Sequence, residues 1–138
     1  MSSGLERQMD LIFSHSGCLD GQCAVHILKE GCLPNSVTVW LHAGKLTVDE
    51  TKKAMANRDF LRIFIFDLSV SQEVFDYLTK LVCVKFQIFD HHEPRWYGTL
   101  DERVHNEPNK CASKLVWDYY HPEKPYPPIV EYIDDRDR

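Results

Sequence analysis

Carboxylates and imidazoles recur in this chain at the points where apolar runs end. Residues 82–89 (Val-Cys-Val-Lys-Phe-Gln-Ile-Phe) stop at Asp90-His91-His92. Leu11-Ile12-Phe13-Ser14 leads into His15, with Asp20 soon after, and the run 60–66 leads into Asp67. Neighbouring residues of a strand point to opposite faces, so Asp90, His91 and His92 converge only if the backbone turns there. Asp20, Asp67 and Asp90 gathered at one edge would repel one another, and a bound cation removes that cost. Mixed carboxylate and imidazole donors suit Mn²⁺ or Fe²⁺ and accept Zn²⁺ or Co²⁺, while Mg²⁺ favours oxygen-only shells. The donors outnumber the needs of one ion. Two ions ~3.5–4 Å apart are therefore expected, lowering the pKa of a bound water and aligning it with phosphorus.

Each part has an ordinary explanation when taken alone. Asp at a strand end is commonly a turn or cap residue, a single His is commonly a hydrogen-bonding residue, and Asp-His-His is a short word. What distinguishes the set is its ordered recurrence after three strand-like runs.

The elements that must position these groups alternate along the chain. A strand over about 10–15 precedes a helix from Asp20 to Glu30, with Ala24, Val25, Ile27 and Leu28 on one face and Gly31 as a stop signal. Pro34-Asn35 turns the chain into a strand over 37–41. Thr47-Val48-Asp49-Glu50 has the form of a capping box and opens a polar helix to about Asn57. The continuous apolar strand 60–67 is of the kind covered on both faces. Ser71 is placed to cap a helix over 72–80, ahead of the strand 82–89. Alternation of this length predicts an α/β fold: three layers, a doubly wound and mostly parallel sheet, helices on both faces. Ligands of such sheets bind outside the carboxyl ends of the strands, where the acids and imidazoles fall. Residues 93–110, with two Pro and one Gly, read as an active-site loop. Residues 111–120 read as a helix, and the Pro-rich stretch 122–128 connects it to 129–133. Trp40, Trp117, Tyr119, Tyr120 and His26 read as structural, and Trp96-Tyr97 is the better stacking pair.

Bulk composition narrows the partners. A chain of 138 residues with 43% hydrophobic content is one domain by size, expected to bury ~68% of its unfolded surface. The net charge of −5, with no basic run, argues against long duplex nucleic acid, whose affinity rests on phosphate neutralisation. A small phosphorylated or nucleotide substrate stays compatible, because divalent ions supply local positive charge. Five scattered cysteines form no CxxC pair, and no signal segment or membrane span is evident. These features point to a reduced, cytoplasmic protein with no membrane partner.

The ordered motifs resemble those of the DHH phosphoesterase superfamily, which includes the RecJ exonucleases, manganese inorganic pyrophosphatases, nano-RNA nucleases and cyclic-dinucleotide phosphodiesterases. His15-Ser-Gly-Cys18-Leu-Asp20-Gly21 is similar to the first motif in its HxxCxDG form. Phe66-Asp67-Leu68-Ser69 resembles the second motif and Phe89-Asp90-His91-His92 the third. Cys111-Ala112-Ser113 resembles the small-residue start of the next helix, and Tyr132-Ile133-Asp134-Asp135-Arg136-Asp137 the fourth motif. The resemblance covers nearly the whole chain. It implies a manganese-dependent phosphoesterase, with His15, Asp20, Asp67, Asp90, His91 and Asp135 as metal ligands and Asp67 bridging two ions. One of His91 and His92 is then a ligand and the other a phosphate contact or general acid, so Asp90, His91 and His92 form the catalytic group. His42, Lys45, Ser113 and Arg136 are secondary candidates for substrate binding. Two departures stand out. Cys18 occupies the place of a frequent metal-binding Asp and is a soft ligand, a neighbour of the shell or a bystander; Asp137 has the same open status. The C-terminal substrate-binding domain of larger members has no counterpart within 1–138, so the chain reads as a single catalytic domain. Two rival readings follow: a metal- or nucleotide-binding module with little turnover, and the catalytic part of a longer two-domain enzyme.

Overall fold

The computed structural model describes residues 9–17, 19–29, 36–42, 45–56, 60–81, 84–90, 103–107 and 109–137. The main sheet contains β1 (Met9–His15), β2 (Val37–Leu41), β4 (Phe60–Phe66), β6 (Lys85–Phe89) and β7 (Val104–His105), in the order β2-β1-β4-β6-β7. Every pairing among them is parallel. The helices are α1 (Leu19–Lys29), α2 (Val48–Met55), α3 (Gln72–Thr79), α4 (Ala112–Tyr120) and α5 (Pro128–Asp137).

Strand alternation explains the three layers. Leu11, Phe13, Ile63, Ile65, Phe86 and Ile88 share one core with Val74 and Leu78 of α3 and Val48 of α2. Their sequence neighbours Ile12, Phe64, Phe66 and Phe89 share the other with α1, with Leu115 and Val116 of α4, and with Val130 of α5. The expected doubly wound sheet with helices on both faces is thus the observed fold. Burial of each large apolar side chain contributes about 1.5–3 kcal/mol. No helix among the described residues is long and apolar enough to cross a membrane.

Local signals act largely as the sequence implies. Ser71 Oγ accepts from the Val74 amide to start α3, and Thr47 Oγ1 accepts from the Glu50 amide to start α2. The capping box is altered, however, because the Glu50 carboxylate takes the Thr47 hydroxyl at 3.0 Å. Helix α2 ends at Met55 rather than near Asn57, and β6 spans Lys85–Phe89, with 82 and 83 outside the described residues. Pro128 opens α5 at the position where a missing N–H costs nothing.

Three strand segments were not foreseen. Val104–His105 forms β7 within the stretch read as a loop. Lys45–Leu46 (β3) and Ser69–Val70 (β5) pair as a separate small parallel sheet. Two-residue strands carry no readable periodicity, so only their partners define them. Trp40 and Tyr119 also depart from expectation, at 43% and 45% exposure. Trp40 lies on the edge strand β2, and His26 sits on the outer face of α1.

Candidate functional site

Strand register brings three of the expected residues to one edge. Ser14 pairs with Phe66 and Phe66 with Phe89, so the next residues, His15, Asp67 and Asp90, follow at the same level. Their strands β1, β4 and β6 are adjacent, at the usual spacing of ~4.8 Å. Asp67 and Asp90 are buried, at 3% and 1% exposure. His15 Nδ1 stands 3.7 Å from Asp67 Oδ2, too far for a hydrogen bond.

The backbone at this edge is tightly specified. Asp67 has φ +53°, in the left-handed region. Asp tolerates it better than most residues, yet such a position costs of order 1–3 kcal/mol and persists only where its surroundings impose it. Here the Asp67 amide donates to the Phe89 carbonyl at 2.9 Å, and the chain beyond is pinned by the pairing of β5 with β3. Asp90 is gripped from the other side: its amide donates to the His105 carbonyl at 3.1 Å, and Asn106 Nδ2 donates to its carbonyl at 2.7 Å. After His15, the Ser16 amide donates to the Leu41 carbonyl, and Gly17 takes φ +73°. Gly21 lies so close above β1 that a Cβ there would meet Ser14 Oγ at 2.6 Å and the His15 carbonyl oxygen at 2.9 Å.

Asp20 is placed differently. It is buried in the first turn of α1, and its carboxylate accepts from the Ala112 and Ser113 amides at 2.9 and 2.8 Å. Ser113 Oγ lies 2.7 Å from the same carboxylate. Asp134 of α5 accepts from the Cys111 amide at 2.9 Å and faces Lys114 Nζ at 3.0 Å. Two acids from other helices thus take the amides of the N-cap residue Cys111 and of the first two residues of α4, where Cys111 supplies no side-chain cap. The anion at this helix start is a carboxylate of the protein itself.

The charges here have one sense. Burial pushes the Cys111 thiol far up, reinforced by the negative charge of Asp20. Burial likewise raises Cys23 against a hydrogen bond from Ser113. Both thiols stay protonated, which disfavours thiolate metal binding by either. Burial opposes the charge of Lys114, but Asp134 and Glu131 outweigh it and hold the ammonium protonated.

The other expected residues are dispersed. Ser113 is fully buried, with its amide and hydroxyl both directed at Asp20 rather than at solvent. His42 is exposed at the end of β2 and Lys45 exposed in β3. Asp135 and Arg136 are exposed on α5, whereas the buried acid of that motif is Asp134. Cys18, His91, His92 and the side chain of Asp137 lie outside the described residues. Among the described residues, no group of three or more His, Cys, Asp or Glu side chains is disposed to hold a metal ion. The donor chemistry of His15, Asp67 and Asp90 nevertheless fits a divalent ion, as two carboxylates and an imidazole at adjacent strand ends. Sequence reasoning missed Asp134, Lys114 and Asn106. Only Asp134 carried a signal, as the last acid before the exposed turn of an amphipathic helix.

No family model and no curated protein matches the sequence. Among the solved structures that share its fold are the following two. An uncharacterised protein from Helicobacter pylori G27 superposes with a TM-score of 0.65 at 20% identity, over 84% of this chain and 36% of that one. The exonuclease RecJ, crystallised with manganese, superposes with a TM-score of 0.63 at 13% identity, over 96% of this chain and 39% of that one. The chain therefore spans less than two-fifths of the length of either neighbour.

Proposed function

We propose that this chain is a phosphoester hydrolase of the DHH type that uses divalent metal, with manganese the preferred ion. The observation that carries this reading is the register that sets Asp67 and Asp90, both buried, beside His15 at the ends of three adjacent parallel strands. The fold shared with a manganese-bound exonuclease supports it. His15, Asp67 and Asp90 would hold the metal, completed by His91 and, from α5, Asp135. Bound metal would supply an activated water and an electrophile for the phosphoryl oxygens. The chain's own residues then do the positioning. The left-handed backbone of Asp67 presents its carboxylate at the edge, and the β7 contacts hold Asp90 in register beside it. With a net charge of −5, the preferred substrates are small: a short oligonucleotide, a cyclic dinucleotide or another phosphodiester.

The test is release of phosphate or nucleotide from a generic phosphodiester, pyrophosphate, a dinucleotide and cyclic di-AMP, with added Mn²⁺. Turnover that Asp90→Asn abolishes is the expected result. No turnover on any substrate, in protein that binds manganese, would replace this reading with the second one: a metal- or nucleotide-binding module. That alternative is favoured by Asp20, whose two carboxylate oxygens are both engaged by α4.

A further inference from the structure

A cavity of about 620 Å³ opens between β7 and α4, lined among the described residues by His105, Asn106, Glu107, Leu115, Asp118 and Tyr119, with Val104 behind. Its size falls within the range of small-molecule sites. We propose that it seats the heterocyclic base of a nucleotide substrate, stacked on Tyr119 with an exocyclic amine directed to Glu107. The position of the phosphate in this arrangement rests on the phosphoester reading above; the base site itself does not.

The lining selects the ligand. Glu107 and Asp118 sit together because Lys110 Nζ bridges them, at 3.1 and 2.7 Å. Asp118 also accepts from the Tyr126 hydroxyl at 2.7 Å, so both its oxygens have protein donors. Glu107, with 56% of its side chain exposed, keeps more room to accept from a ligand. Two carboxylates against one ammonium disfavour a phosphate group in the cavity, and the same polar groups disfavour a purely aliphatic ligand. A planar, uncharged ring with N–H donors satisfies both walls.

The platform is pre-set. Tyr119 is 45% exposed, yet its ring is braced edge-on by Phe89 at 5.6 Å, by His105 at 5.1 Å and by Tyr120 at 4.9 Å. His105 is stacked on Phe89 and bonded to Gln87 at 2.6 Å. The cavity also adjoins the acidic edge directly: His105 and Asn106, which line it, are the residues bonded to the Asp90 backbone at 3.1 and 2.7 Å. A base in the cavity thus places its sugar and phosphate on the Asp90 side.

The test titrates the full chain, without metal, with adenosine, guanosine, cytidine and uridine, followed by chemical shifts of the Tyr119 and Asn106 signals. Saturable binding is expected, weakest for uridine, which lacks an exocyclic amine. Tyr119→Ala should weaken every nucleoside at least fivefold, the effect of losing one base–aromatic stack, and Tyr119→Phe should restore it. Glu107→Ala should weaken the three amine-bearing nucleosides and spare uridine. Failure of every nucleoside to bind, or affinities untouched by Tyr119→Ala, would overturn the base site. The two readings fail separately. Manganese-dependent cleavage of a generic phosphodiester without nucleoside binding sinks only the base site. Nucleoside binding at Tyr119 without any cleavage leaves the base site standing and sinks the hydrolase.

Discussion

Four buried acids collect in two regions of this molecule, and the regions treat them differently. At the start of α4, Asp20 and Asp134 are met by three backbone amides, a hydroxyl and the Lys114 ammonium. At the carboxyl edge of the sheet, Asp67 and Asp90 stand on neighbouring strands with an imidazole 3.7 Å from one of them. Their main chains are fastened by hydrogen bonds, one in a left-handed conformation. In the first region carboxylates stabilise the fold by completing a helix. In the second a left-handed backbone and strand register set two buried acids at neighbouring strand ends. Burial alone therefore does not mark a functional acid; what the protein supplies around it does.

The contrast makes predictions of decreasing size. Asp90→Asn and Asp67→Asn should abolish manganese-dependent turnover, beyond the roughly 10–100-fold that loss of an outer-shell partner costs. In metal-free protein both should cost less stability than Asp20→Ala, since neither carboxylate caps the start of α4. A fall in melting temperature in either as large as that of Asp20→Ala would erase the distinction between the regions. Asp20→Ala should show the reverse emphasis, destabilising by about 3 kcal/mol as two buried amides lose their acceptor. Urea unfolding reads this directly, and a cost below about 0.5 kcal/mol would remove Asp20 from the helix-completing group.

Gly21→Ala tests the seam between the regions, since Gly21 follows Asp20 and lies over Ser14 and His15. A Cβ in that space should cost about 1–3 kcal/mol and weaken metal binding by displacing His15; calorimetry with Mn²⁺ would show both. The smallest effect concerns His105, behind Asp90. Burial depresses its folded pKa, so below about 6.5 the unfolded chain takes up a proton that the folded chain resists. Stability should then fall as pH drops from about 6.5 toward the folded value, and His105→Gln should flatten that slope. Identical pH profiles for the two proteins would contradict it.

The layers were legible because their signals are local. Continuous apolar runs, the Ser71 cap and the apolar stripe of α1 each report a structure through residues a few positions apart. The edge set was legible for a related reason: parallel strands all deliver their last residues to the same side, so His15, Asp67 and Asp90 needed only three correct strand ends. Asp20 shows the limit. Its place in the motif gave no sign that its carboxylate would reach the Ala112 and Ser113 amides, more than ninety positions away. Tyr119 is a second case, since its spacing from Leu115 and Val116 suggests the core, yet it packs on Phe89 and His105 while 45% exposed.

Composition, strand ends and helix caps, all readable in order along the chain, determined a parallel α/β domain with acids and imidazoles at its carboxyl edge. Tertiary structure alone decided which acids complete a helix, which are buried at neighbouring strand ends, and that a cavity walled by Tyr119 and Glu107 adjoins Asp90. The physical reason is range. Backbone periodicity and capping act over one turn or one strand, whereas the partner of a buried charge is whichever group the packed layers bring within 3 Å, and sequence distance does not enter that choice.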